Sequence, residues 1–247
     1  MYINDINILY FVLFGFIGIL VGQFVDWCNI RLMKYETVFS KEFFTKYIKE
    51  THPKYLLMII VAAIYCILLY IYGLESIDFY KYIILTPMLI SAFIIDYKEQ
   101  IIPNRLTLTI FETGLLLTVI QVIVNVNLGI SIAMEMLLGM ITGAGIFLTI
   151  TLIGGLLAGK EAMGFGDVKL MGALGLFFGW KGIICVSLIS FLLGAVISIF
   201  LLLFKRKDKS EYIAFGPFIV MASFILMAFE INTIIYWLYK IFTLRVA

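Results

Sequence analysis

Long apolar runs succeed one another along the whole chain, most of them close to the roughly twenty residues that an α-helix needs to cross a bilayer. They lie at about Ile8 to Cys28, Tyr55 to Tyr72, Tyr80 to Ile95, Leu106 to Val124, Ile132 to Ala158, Ile183 to Phe204 and Ile213 to Leu238, with a shorter one at Leu170 to Phe178. A segment in lipid must satisfy its own backbone hydrogen bonds, which a helix does. The runs are too long for barrel strands of about ten residues. The expected fold is therefore all-α: a polytopic membrane protein of about eight transmembrane helices. Composition agrees, with 63% hydrophobic and 14% charged residues and a mean hydropathy of +1.10. Soluble domains average about 45–50% apolar and about 25% charged residues. No internal repeat or soluble domain interrupts the series, so residues 1–247 read as one polytopic domain. The first run lacks a basic stretch before it and a small-residue cleavage site after it, so it reads as a retained span.

The connections set the orientation. The largest, about Asn29 to Lys54, carries Phe39, Phe43, Phe44, Tyr47 and Ile48 at helical spacing among charges, which predicts a short amphipathic surface segment. With the N-terminus outside, this segment is cytoplasmic, and only Lys81, Lys181, Lys240 and Arg245 of the 18 basic residues fall outside. The positive-inside rule favours that choice. A net charge of +2 gives no argument for a nucleic-acid partner. Cys28, Cys66 and Cys185 are scattered in or at the ends of apolar runs and read as small buried hydrophobes.

Two acids stand out. Asp167, in Met163-Gly164-Phe165-Gly166-Asp167-Val168-Lys169, and Asp96, in Asp96-Tyr97-Lys98-Glu99-Gln100-Ile101-Ile102-Pro103-Asn104, each lie at the edge of an apolar run. The expected topology puts both on the cytoplasmic side. Two carboxylates held close share one proton. The ionised member can take a proton from water and the protonated one can donate to a peptide carbonyl, which is peptide hydrolysis without a metal or a covalent intermediate. His52 is the only histidine, which argues against a histidine-rich metal site or a Ser-His-Asp triad. Each acid also has an ordinary reading. Asp96 would be a helix-end charge in water, and Asp167 the cap of a helix beginning near Val168. Lys98 and Lys169 would be interfacial anchors. Glu112, Glu135 and Asp26, near or within apolar runs, would be solvated or bundle-facing. Without further motifs, two intramembrane acids also fit an ion or proton transporter.

The motifs together resemble the type IV prepilin peptidases, GxGD membrane aspartyl proteases of bacterial pilus, secretion and competence systems. Gly164-Phe165-Gly166-Asp167-Val168-Lys169-Leu170 is similar to the family's second motif, and Gly172 to Gly175 with Gly179-Trp180 to its continuation. Asp96 followed by Pro103, Asn104, Leu106 and Thr107 resembles the first motif. Phe215-Gly216-Pro217-Phe218 resembles a third signature, and Gly22, Phe24, Arg31 and Leu32 the end of the first span. The resemblance implies catalytic Asp96 and Asp167, supported by Gly164, Gly166, Lys169, Pro103 and Asn104. It also implies cleavage of the short leader of prepilins or pilin-like proteins at the cytoplasmic face of a bacterial plasma membrane, with no cofactor for proteolysis. A presenilin-like or signal-peptide-peptidase-like protease fits less well, since Ile95 rather than tyrosine precedes Asp96 and no Pro-Ala-Leu stands near the C-terminus.

Many members of that family also methylate the new N-terminus with S-adenosylmethionine, and their first cytoplasmic region usually carries two Cys-x-x-Cys pairs resembling a zinc site. Here Asn29 to Lys54 has no cysteine, and Asp26 stands where an asparagine is usual. The expectation is a peptidase without metal and with weak or absent methylation.

Overall fold

The computed structural model describes residues 2–4, 6–34, 36–38, 43, 47, 53–158, 163–203, 214–229 and 231–243. These form two compact units, residues 1–99 and 100–247. The regular elements among the described residues are helices, apart from a two-stranded ribbon near the N-terminus. Most of the segment expected to be amphipathic, between Asn29 and Lys54, lies outside the described residues.

In the first unit, strands β1 (Tyr2–Ile3) and β2 (Ile6–Asn7) pair antiparallel, with Tyr2 opposite Asn7. The Asn7 side chain accepts a hydrogen bond from the Leu9 backbone and caps α1 (Ile8–Met33). That helix runs five residues beyond the expected end at Cys28, so Asn29 to Met33 belong to it and not to a connection. Helix α2 (Tyr55–Tyr72) lies antiparallel to α1. Two glycines set their separation: a Cβ on Gly18 would stand 2.5 Å from Ala62 Cα, and one on Gly22 2.6 Å from Met58 Cα. In lipid such small-residue contacts replace the hydrophobic drive that water supplies elsewhere. Helix α3 (Ile77–Glu99) completes the unit. The Tyr65 hydroxyl of α2 donates to the Ile83 carbonyl at 3.0 Å, and Phe14 of α1 meets Phe79 edge to face at 5.0 Å.

The second unit holds α4 (Asn104–Val124), α5 (Gly129–Ala158), α6 (Phe165–Leu203), α7 (Gly216–Ala228) and α8 (Ile231–Thr243). Helix α6 is not straight. Gly179 takes φ 67° and ψ 179°, a left-handed φ that a side chain would strain. A Cβ on Gly143 of α5 would lie 2.4 Å from the Met171 carbonyl oxygen and 2.9 Å from Ile183 Cγ1, so these two atoms are within about 5.3 Å of each other. Along a straight helix twelve residues span about 18 Å. The chain therefore folds back at Gly179, and α5 packs against both arms, with Phe147 stacked on Phe191 at 5.4 Å. This is the turn expected at Gly179-Trp180-Lys181-Gly182.

The expectation of eight spans needs correction. Among the described residues, six helices, α1 to α6, are long and apolar enough to cross a membrane, or seven if α7 and α8 together make one bent span. The shortfall has two sources. The first arm of α6, residues 165–178, is about 21 Å long, short of a bilayer core of about 30 Å. The expected last span, Ile213 to Leu238, is broken: Phe229 is extended at φ −126° and ψ 142°, and α8 leaves α7 at 117°. Asn232 stands just after that break, where a continuous apolar helix would have to bury it.

Candidate active site

Asp96 lies in the last turns of α3, in the first unit, and is 4% exposed. The residues after it, Tyr97 to Gln100, are all exposed. A helix-end charge in water would share their exposure, so the ordinary reading of Asp96 does not describe its position. Nor does helix electrostatics favour it there, because a carboxylate is favoured at the N-terminal end of a helix, not the C-terminal one.

Asp167 lies in the second unit and is also 4% exposed. Helix α6 starts at Phe165 and not near Val168, so Asp167 sits inside its first turn, beside the positive end of the helix. The Asp167 backbone N–H donates to the Gly164 carbonyl at 3.1 Å, which closes that turn.

The residues after Asp96 in the first motif meet the second motif within the second unit. Gln100 has φ 55°, the left-handed conformation that commonly ends a helix. Ile102 and Pro103 are then buried, and Pro103 caps α4 by accepting hydrogen bonds from Leu106 and Thr107. A Cβ on Gly166 would stand 3.2 Å from Ile102 Cβ, so glycine there lets this connection lie against the start of α6. One turn along, Lys169 Nζ donates to Asn104 Oδ1 at 2.8 Å. Four of the expected supporting residues thus have a defined place: Pro103 caps α4, Gly166 admits Ile102, and Asn104 and Lys169 join the two motifs. Gly164 supplies the carbonyl that closes the turn of Asp167. Glu112 and Glu135 are both exposed.

The sequence reading missed a cluster at the end of α1. Tyr47 is 5% exposed and donates to Asp26 Oδ2 at 2.7 Å, while Gln23 Nε2 donates to the Tyr47 hydroxyl at 2.9 Å. Gln23 Oε1 in turn accepts from the Lys54 backbone at 3.1 Å. Trp27 Nε1 donates to the Val38 carbonyl, and Arg31 pairs with Glu36 at 3.0 Å while lying over the Trp27 ring. Burial, then the hydrogen bond to Asp26 and its charge, raise the Tyr47 phenol above its ordinary range. Gln23 and Asp26 are three residues apart, which puts both on one helix face, the pattern that could have drawn attention to them. These bonds tie the α1–α2 connection to α1 through side chains. Tyr47→Phe is expected to cost about 1.5–3 kcal/mol, the value of a hydrogen bond to a carboxylate. Thermal unfolding in detergent measures it, and an unchanged midpoint would contradict the role of this bond. Among the described residues no group of three or more His, Cys, Asp or Glu is arranged to hold a metal ion.

Comparison with known proteins bears on the same residues. Residues 83–199 match the model of the type IV leader peptidase family, a range that includes Asp96, Pro103, Asn104 and the whole Gly164 to Lys169 motif. The chain is 33% identical to a prepilin leader peptidase/N-methyltransferase of Aeromonas hydrophila over 143 residues, 58% of this chain and 47% of that protein. A protein of the same description from Xanthomonas campestris pv. campestris is 34% identical over 143 residues, 58% of this chain and 47% of that one. The one from Legionella pneumophila is 32% identical over 153 residues, 61% and 50% of the two chains. The chain spans about half the length of the curated relatives it matches. No solved structure matches it. Its apolar helices and bacterial relatives make it a multi-pass protein of the bacterial plasma membrane. Through residues 83–199, which hold both aspartates and their flanking motifs, the chain is similar to the type IV leader peptidase family.

Proposed function

We propose that this protein is an aspartyl endopeptidase that removes the short leader of prepilins or pilin-like proteins at the cytoplasmic membrane face, with Asp96 and Asp167 acting as one unit. The ionised carboxylate takes a proton from water as the oxygen attacks the scissile carbonyl. The protonated carboxylate donates to the carbonyl oxygen, and the tetrahedral intermediate then expels the amine with a proton returned from the pair. One observation carries this reading: each of two carboxylates is 4% exposed at the end of an apolar helix, and both fall inside the family match. Buried acids at a membrane edge are costly and mark function. The Lys169–Asn104 bond and the Ile102–Gly166 contact support it, since they join the tail of one motif to the other. The direct test is cleavage of a purified prepilin by the purified chain: intact substrate after incubation would refute the activity.

Orientation is a separate prediction. Single cysteines placed near Glu75 or Asn127 should react with an impermeant reagent added outside the cell, and those near Lys46, Lys98 or Lys207 should not. The opposite pattern would move the proposed site to the outer face.

Methylation is expected to be weak or absent. The expectation rests on the stretch from Asn29 to Lys54, which has no cysteine. Mass spectrometry of the processed pilin, after incubation with S-adenosylmethionine, should find the free amine. A gain of one methyl group from this chain alone would overturn the expectation.

A further inference from the structure

We infer that a groove between α4, α5 and the opening turns of α6 holds the apolar side chains of the peptide beside the scissile bond, with Lys169 at its mouth holding the backbone of that peptide. This rests on the reading of Asp167 as catalytic. The groove lies wholly within the second unit and encloses about 460 Å³. Its walls are Thr107 and Phe111 of α4, Met140 and Ala144 of α5, and Gly172 and Ala173 of α6, with Asn104 and Lys169 also lining it. Small residues set its volume: a Cβ on Gly172 would already stand 3.2 Å from Ala144 Cβ. Val168 and Lys169 both line it and directly follow Asp167, so it opens within one helical turn of that carboxylate.

The polar mouth selects a peptide over a lipid chain. An ammonium has three protons to donate. One of those of Lys169 goes to Asn104 Oδ1, and Lys169 forms no ion pair among the described residues. A peptide must be extended where it is cut, so its carbonyls there have no helical partner and need donors at the membrane edge. Lys169 supplies donors beside walls that suit apolar side chains. An acyl chain would fill the walls but present no row of carbonyls.

The test uses the full chain in vesicles and two synthetic prepeptides, alike except for leucine or alanine at the two positions after the scissile bond. Ala144→Phe should lower kcat/KM for the leucine peptide by about tenfold or more, through KM, and leave the alanine peptide within about threefold of wild type. Lys169→Gln should raise KM for both peptides alike, because a backbone contact does not read side chains. Equal losses for both peptides with Ala144→Phe would overturn the groove. Should that variant fail to fold, a benzophenone amino acid in place of the exposed Leu108 decides: adducts with the leucine peptide support the inference, and adducts with lipid alone overturn it. Asp167→Asn separates the two readings. Residual cleavage by that variant refutes the catalytic pair, whereas an inactive Asp167→Asn beside an unselective Ala144→Phe refutes only the groove.

Discussion

Asp167→Asn and Asp96→Asn should each lower cleavage of a prepilin by at least about a thousandfold, the upper range for loss of a general acid or base. An amide can neither take the proton of the attacking water nor release one to the carbonyl oxygen, and its size is otherwise that of the carboxyl. The Asp96→Ala, Asp167→Ala double variant should be no worse than either single one, because two groups that act as a unit lose their whole effect when one is removed. Additive losses would mean two independent roles. Asp→Glu should fail as well, since one methylene moves the carboxyl by about 1 Å, enough to spoil a near-attack geometry. Both side chains are buried, so each variant must also be shown to elute and melt as a folded membrane protein. A single variant that folds and retains a tenth of the activity would sink the pair.

The helical class and the multi-pass character were legible because a membrane span leaves a coarse, long-range signal. The turn at Gly179 was legible for a local reason: glycines on either side of Trp180-Lys181 interrupt an apolar run, and one of them takes the left-handed conformation. The break at Phe229 was not. Hydropathy averages over Glu230 and Asn232, and nothing in that average distinguishes one span from two short helices bent by 117°. The motif residues were readable as types and spacing, but their structural duties were not. That Gly166 makes room for Ile102, and that Lys169 reaches Asn104 across 65 positions of sequence, are facts of packing. Tyr47 was read as one member of an apolar stripe; its bond to Asp26 joins residues 21 positions apart, beyond any periodicity.

The largest effect on stability is expected at the α5–α6 crossing. A Cβ on Gly175 would lie 2.2 Å from the Gly139 carbonyl oxygen and 2.5 Å from Met140 N; one on Gly139 would lie 2.4 Å from the Gly175 carbonyl oxygen. The obstacles are backbone atoms of a neighbouring helix, so no rotamer change relieves them, and the helices would have to separate. Overpacking that side chains can absorb costs about 1–3 kcal/mol, and a backbone clash lies at or above that range. Separation also forfeits the close packing that holds helices together where water gives no drive. Gly175→Val should therefore abolish assembly of the second unit, leaving a chain that is inserted in the membrane but aggregates in detergent and is cut by protease. Gly145 on the same helix as Gly139 supplies the control, since a Cβ there meets nothing within 4 Å. Gly145→Ala should be neutral or stabilising by about 0.5–1 kcal/mol, the gain from replacing a helical glycine. Because α6 carries Asp167 at its start and α5 packs along both of its arms, Gly175→Val should abolish cleavage together with folding, whereas Asp167→Asn should abolish cleavage alone. A Gly175→Val chain that melts like wild type would show that the two helices can pack at another distance, and the steric requirement for glycine at that crossing would fall.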